Sequence, residues 1–573
     1  MAAGGAGYDE DRFWRGVDAL AAVPQLTAEA ARLGGSDNGA KSMLDGVLHL
    51  AQGRKFDRRW LNWRNTLSED RNEIWMLQQW LFVREFAHEF GRHGTTTTLR
   101  PTADILNDWF EVNLEPAAVE DEASLAWHDH STALRLLHLL ILLHQGARAG
   151  ADLRALFPRL PGAIMLHLAL LLDEGFYSVG TNHGFDQAYA LVLAGNSLDL
   201  GELGEKAREV GKSRLMHEVG VAFNGEGVHI ENSPTYHVLM MSRVLRAERM
   251  LAAFGASDEM ASLDETLARA VEFLTHAVRP DGAIPLFGDS ESLPIRINLD
   301  PFAHVRTIDG LRWALSRGGE GEQPEALAAV YPEAGYAFMR DRWIGPQGPD
   351  DVVHLAMKCG CLSAYHRHDD DNSLVLWAWG EAWLLGSGIY KYHEQDPHRR
   401  YLRSAAAQNV LSIPGAKCLR NPKMVPSRIA VWETAGDITS VTGDGRMYQH
   451  MPYRRRLSFD RAACRIDLDD RIEAPGDRPS PFELRFHLPA DREIVHVGDL
   501  IVATSPTTGV RLEFDILDVP ARSVEILKAV ENEPLAGWWS PARGKLQPAS
   551  TIVLRGETAG PIETRCSLRL VRP

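Results

Sequence analysis

The chain has 573 residues, of which 45% are hydrophobic and 24% charged, a composition ordinary for a soluble globular protein and a length that calls for two or three domains. Its 61 Lys and Arg against 77 Asp and Glu leave a formal charge of −16, which argues against general nucleic-acid binding. A local basic cleft for an anionic substrate stays compatible with that balance.

The opening stretch, "MAAGGAGYDEDRFWRG", shows neither a basic n-region nor an apolar h-region, so a cytoplasmic location is expected, with a periplasmic or secreted one as the alternative for a processed chain. From about residue 10 to 315 the apolar spacing is helical. "SEDRNEIWMLQQWLFVREFAHEFGRHG" reads as one helix, with Ser68 as N-cap and Arg92 and His93 before Gly94 at its end. Similar segments follow at 131–146, 163–174, 185–198, 233–255 and 260–278, without a fixed-period repeat. The most apolar run, "LRLLHLLILLHQG" at 134–146, is too short and too interrupted by His to span a bilayer, so no membrane partner is expected and the run reads as a buried helix.

"RGGEGEQPEALAAVYPEAG", 317–335, reads as a linker. Beyond it the period becomes two: "VVHLAMKCG", "SLVLWAWG", "RIAVWETA", "CRIDLDDRIEA", "FELRFHLP", "VRLEFDIL" and "CSLRLV" are expected as half-buried antiparallel strands. The expected division is a helical domain over 1–320 and an antiparallel β domain over 335–573, an α+β multidomain chain. All five cysteines fall in the second half, odd in number and without zinc-type CxxC spacing, so no disulfide framework is expected.

Four clusters carry the chemistry-bearing side chains. "SVGTNHGFDQA" presents Asn182 and His183 on a Gly-containing turn before a helix; "NGEGVHIENSPTYHVLM" places Tyr236 and His237 at a helix start. "YHRHDDDNS" puts His366 and His368 two apart, on one face if the stretch is a strand end. "RRYLRSAAAQN" carries Arg403, Gln408 and Asn409. Each has a plain reading as a cap, a core aromatic, a structural His pair or a solvated basic face.

Together, in order and spacing, "TNHGFDQA", "ENSPTYH", "HRHDDDNSLVLWAWGEAWLLGSGIYKY" and "RYLRSAAAQN" resemble the heparinase II/III-like polysaccharide lyase superfamily, which also holds alginate lyases. The resemblance implies an N-terminal (α/α) toroid followed by an antiparallel β-sandwich. It implies β-elimination at a uronic acid of an acidic polysaccharide or oligosaccharide, glycosaminoglycan or alginate, and so a carbon–oxygen lyase. Asn182 and His183 match the positions that contact the uronate carboxyl group, whose developing charge needs preorganised donors. Tyr236 and His366 match the proton-transfer residues, with the division of base and acid between them left open. Arg135 and Arg403 are candidates for gripping a substrate carboxylate, against a plain ion-pair reading. Asp186 either orients His183 or caps its helix.

In several relatives the second His of the HxH pair joins an Asp and a further His around zinc. Here those two positions are Gly386 and Gln408, so the usual ligand set is incomplete and no cofactor is assigned. His368, Asp370 and Gln408 are instead expected to form a network that orients His366. His368 and Asp370, or an oxygen-rich site on Asp369, Asp370 and Asp371, are left as the residues to hold a divalent metal. A hydrolase of acidic oligosaccharides, built on a pair among Glu226, Glu231, Asp289 and Asp370, and a non-catalytic glycan-binding relative are the alternatives. Asp289 reads first as a turn residue, and oligomeric state is not legible.

Overall fold

A computed structural model describes residues 9–50, 54–63, 70–255, 260–421, 426–448, 450–474 and 479–573. The fold class expected from the sequence, helices followed by antiparallel β-sheets, is the one observed. Two compact units emerge, one of 1–222 with 246–260 and one of 223–245 with 261–573.

The first unit is built on the helix Asp129–Arg148, buried on every side from His130 to Gly146 apart from Leu134, as its apolar run demands. The helices Asn182–Ser197, Leu160–Leu172, Pro24–Leu33 and Arg84–His93 pack against it, and Glu202–Ala222 lies against Asn182–Ser197. The single helix expected over 68–93 is broken. Helix Arg71–Gln78 ends at Trp80, whose φ of +59° is left-handed, and Arg84–His93 restarts after a 3₁₀ turn at Leu81–Val83. The break buries the Trp80 indole edge-on against Trp109, ring centroids 4.9 Å apart, so tertiary packing overrides the helical spacing. Ser68, the expected N-cap, lies outside the described residues. No helix among the described residues is long and apolar enough to cross a membrane.

In the second unit the described strands form three main sheets. One runs in chain order through Ala328–Tyr331, Tyr336–Arg340, Val353–Lys358, Ser373–Ala378 and Glu381–Leu384, all antiparallel. Its first strand occupies part of the stretch expected as linker. Val353–Lys358 and Ser373–Ala378 are buried on both faces rather than half-buried. An eight-stranded sheet and a five-stranded sheet contribute to one core that includes Leu355, Leu376, Leu457, Phe486 and Leu568. Tyr453–Asp460 and Ile562–Val571 there show the in–out alternation of a sheet with one solvated face. None of the five cysteines, all among the described residues, is in a disulfide.

Candidate active site

In the first unit, Thr181 caps the helix Asn182–Ser197 through its hydroxyl, which accepts from the Gly184 N–H at 3.1 Å. The cap fixes Asn182 and His183 in the first turn, both partly exposed. His183 Nδ1 lies 3.0 Å from Asp129 Oδ2, and its ring stacks on His130 with centroids 4.1 Å apart. Burial pushes the Asp129 carboxyl up, but His128, His183 and Ser178 more than offset it and hold the group well below the carboxylate range. An ionised Asp129 therefore fixes the Nδ1–H tautomer of His183 and leaves Nε2 to face outward chemistry.

Asp186 does not orient His183 directly. Its Oδ2 is 2.9 Å from His130 Nε2, and it acts one ring removed, on the imidazole beneath His183. Arg135 is a clearer correction. It has no exposed surface; its guanidinium lies 4.7 to 5.4 Å from the rings of Trp80, Trp109 and Trp127 and donates to the Gln78 carbonyl at 2.9 Å. Such a residue holds the helical core together and cannot grip a substrate.

In the second unit, the helix Pro234–Ala253 opens at Ser233, whose carbonyl accepts from the His237 N–H at 3.0 Å. That places Tyr236 in the first turn, stacked on the His366 ring with centroids 3.8 Å apart and planes 18° from parallel. The HxH pair is not on a strand. It lies in the loop between Val353–Lys358 and Ser373–Ala378, with His366 at φ +55°. Asn232 holds that loop: its Nδ2 donates to the carbonyls of Ser363 at 2.7 Å and Tyr365 at 3.0 Å, and its Oδ1 accepts from Leu362 N–H at 3.1 Å. Gly288 permits the close approach of the Asp289 segment, since a Cβ there would lie 2.5 Å from the His366 carbonyl oxygen.

Asp289 is the hub. Its Oδ2 is 3.0 Å from His366 Nδ1, its Oδ1 is 2.8 Å from His368 Nε2, and the Arg399 guanidinium binds it through both amino nitrogens. Burial works to raise this carboxyl, yet the two imidazoles and Arg399 hold it well below the ordinary range. Far from a turn residue, Asp289 fixes His366 with Nε2 directed towards Glu231, 3.4 Å away. The Tyr236 hydroxyl is hydrogen-bonded to the Tyr392 hydroxyl, which also accepts from Arg543 Nη2 at 3.2 Å. Burial raises the Tyr236 phenol, and the Tyr392 bond and Arg543 oppose it without reversing it.

The expected network around His368 exists with a different membership. Ser387 Oγ bridges His368 Nδ1 and Gln408 Nε2, each at 3.0 Å. Asp370 stands apart, buried and accepting the Gly288 N–H at 3.0 Å. Arg403 binds Glu394 through Nη1 and reaches the Arg367 carbonyl at 3.4 Å, an internal clasp rather than a free cation.

The zinc ligand set implied by the resemblance does not fit here. A Cβ at Gly386 would lie 1.9 Å from the Leu286 carbonyl oxygen, so no ligating side chain has room there. Both nitrogens of His368 face protein partners, and Gln408 is committed to Ser387 and to the Leu402 carbonyl. Sequence reasoning leaves Asp129, Asn232, Arg399 and Tyr392 unassigned and reads Asp289 first as a turn residue. The chain distance from Asp289 to Arg399, 110 residues, leaves no local signal of their meeting.

Comparison with known proteins places these residues in context. A family model described as heparinase II/III N-terminus matches residues 38–305, and one described as heparinase II/III-like, C-terminal, matches 323–567. Heparin-sulfate lyases from Bacteroides stercoris and Bacteroides thetaiotaomicron are 21% identical over 324 residues and 24% identical over 339, covering 55% and 54% of this chain. The chain spans about half the length of the curated relatives it matches, 47% in both cases. Among solved structures, a heparinase III aligns with a TM-score of 0.76 at 17% identity, covering 95% of this chain and 86% of that one. A heparan sulfate lyase mutant from Pedobacter heparinus aligns at 0.72 and 17% identity, covering 94% and 83%. At these identities the structural likeness speaks for the fold.

Proposed function

The chain belongs to the heparinase II/III-like family, and from that premise we propose that it is a polysaccharide lyase cleaving uronate-containing glycans by β-elimination. The observation that carries the reading is the stacked Tyr236–His366 pair, with His366 clamped by Asp289.

His366 is the base. With Nδ1–H donated to ionised Asp289, the Nε2 lone pair takes the C5 proton of the uronate, and the imidazolium formed lies between Asp289 at 3.0 Å and Glu231 at 3.4 Å. The C5–H electron pair becomes the C4–C5 double bond as the C4–O4 bond breaks. Tyr236, kept neutral by burial, gives its phenol proton to the departing O4. The Tyr236 phenolate left behind is held by the hydrogen bond from the Tyr392 hydroxyl and regains a proton from solvent, while His366 gives up the C5 proton to solvent, so both groups return to their starting states. Asn182 and His183 take the carboxylate role: the side-chain amide donates to the oxygens on which enolate charge gathers, and the imidazolium form of His183, its Nδ1–H held by Asp129, donates to them through Nε2–H.

The substrate class we favour is a glycosaminoglycan of the heparan sulfate type, on the strength of the relatives' names; alginate is the second candidate. The hydrolase alternative finds no carboxylate pair among its candidates. Glu226 accepts the Glu333 and Ala334 N–H groups, Asp289 is saturated by donors, and Asp370 is buried. The test is a panel of heparan sulfate, heparin, hyaluronan, chondroitin sulfate and alginate, read by ultraviolet absorption of the conjugated product. Signal from one member that disappears in Tyr236→Phe supports the proposal; absence of signal from every member overturns it.

A further inference from the structure

A second cluster of metal-ligating side chains lies in the first unit and plays no part in the chemistry above. Asp37 opens the helix Asp37–Leu44; His88 and His93 lie on the helix Arg84–His93. The Nε2 atoms of both imidazoles converge on one oxygen, Asp37 Oδ1, at 3.0 Å from His88 and 2.8 Å from His93. All three ligand atoms fall within 4.8 Å of one another.

Three features set this trio apart from a chance surface contact. The first is rigidity. The Ser36 N–H donates to buried Glu85 Oε2 at 3.0 Å, and Ser36 Oγ caps the helix by accepting from Gly39 N–H at 2.9 Å. The loop before Asp37 also presses on the other helix, where a Cβ at Gly35 would lie 2.6 Å from His88 Cβ. Both elements are thus locked together beneath the three ligands, which is what a preorganised site requires.

The second is donor type. Two imidazoles and one carboxylate are the borderline nitrogen and oxygen ligands that zinc takes at about 2.0–2.2 Å, commonly three from protein with water at the fourth position. Ligands at that distance around a tetrahedral ion stand roughly 3.3 Å apart, so the two imidazole–carboxylate distances need to open by only a few tenths of an ångström. The third is field. His93 is the last residue of its helix, where the unsatisfied carbonyls favour a cation, and Asp37 is the first of its own, where an anion is favoured.

We propose that Asp37, His88 and His93 form a divalent zinc site that clips the start of the Asp37–Leu44 helix to the end of the Arg84–His93 helix. It is open to solvent, with the Asp37 and His93 side chains 61% and 47% exposed, so water completes the coordination. On binding, each imidazole carries its one proton on Nδ1 and passes any surplus proton to solvent, so that the two Nε2 lone pairs and the carboxylate bond to the ion in place of the hydrogen bonds that now share one oxygen. Magnesium and calcium, which prefer oxygen ligands, are excluded by the imidazole pair.

The test is calorimetric titration of the full chain with zinc, repeated with magnesium and calcium, alongside Asp37→Asn, His93→Ala and the double variant. Expected is zinc binding that weakens at least tenfold in each single variant and is lost at this site in the double. The melting temperature should rise with zinc in the unmodified chain and not in the double variant. Cobalt absorption in the visible range gives a second readout of the two-nitrogen, one-carboxylate ligand set that does not depend on stability. Zinc titrations superimposable between the unmodified chain and the double variant, or a cobalt spectrum unchanged by it, would overturn the site. Polysaccharide cleavage enters none of these readouts, so the proposal stands or falls apart from the lyase reading.

Discussion

The Asp289 carboxylate accepts from His366 Nδ1 at 3.0 Å while both amino nitrogens of Arg399 bind its two oxygens from the other side. An acid with 1% exposure is thus ionised, and its charge is matched by a guanidinium rather than by water. His368 completes the set at 2.8 Å. The result is an imidazole whose orientation is fixed by a buried ion pair. In Asp289→Asn the pair loses its negative member, leaving buried Arg399 with only the long 3.4 Å contact from its Nε to the exposed Glu394 carboxylate. We expect a stability loss of about 3–5 kcal/mol together with a large fall in kcat. Denaturant unfolding and initial rates check both, and an Asn variant of normal stability and normal kcat would remove Asp289 from the account.

Arg135 tests the opposite role. It sits within 4.7 to 5.4 Å of three indole rings and donates to a main-chain carbonyl, with no surface for substrate. Arg135→Ala removes a large buried side chain and its cation–π contacts, so a loss on the order of 3 kcal/mol is expected. The activity per folded molecule and KM should stay unchanged. A raised KM with normal stability would restore it as a substrate residue.

The pH dependence of stability follows from buried imidazoles. His138 is held in the core with Nδ1 2.6 Å from the Gln79 carbonyl, and burial pushes its pKa down from 6.5 to about 4. The folded value lies below the unfolded one, so the unfolded chain binds the proton first as pH falls. The stabilisation from keeping His138 neutral is complete above about pH 6.5 and is lost progressively down to about pH 4. His276, also lowered to about 4 by burial, acts in the same window. Melting temperatures across this range should decline before most carboxylates titrate, and His138→Gln should flatten the decline.

Glu89 governs the next window. Burial raises its carboxyl, but the hydroxyls of Thr97, Thr98 and Thr95 and the Thr98 N–H bring it down to about 2. Its stabilisation is present above about pH 4.5 and lost as pH falls towards 2. Glu89→Gln should remove that part of the acid transition, seen by circular dichroism, and leave the His138 part in place.

Chelation separates two metal questions. The pocket around His368 has no room for a ligand at Gly386 and no free nitrogen on His368, so treatment with a chelator should leave the elimination rate unchanged. Stimulation of a stripped enzyme by added metal, with His368→Ala abolishing the effect, would contradict this.

Much of this was legible in the chain itself. Periodicity marked the central helix Asp129–Arg148 and the alternating strand Arg465–Ile472, because one face or all faces must be apolar there. The short motifs marked Asn182, His183, Tyr236 and His366, each at a helix start or loop where local sequence governs presentation. What stayed hidden depends on tertiary closure. Asp129 meets His183 across 54 residues, Asp289 meets His366 across 77, and Asn232 reaches Ser363 across 131. Arg135 was misread for the same reason, since its tryptophan cage comes from three separate segments. Trp80 shows the converse, a helical spacing broken because burying one indole outweighs one continuous helix.

The most direct test of elimination is mass spectrometry of the product from a uronate polysaccharide that the enzyme degrades. The expected fragment carries an unsaturated uronate at its non-reducing end and is lighter by one water than a hydrolysis fragment, and it is absent when Tyr236→Phe or His366→Ala is used. Saturated fragments that have gained water, or unsaturated ones formed at full rate by both variants, would contradict the account.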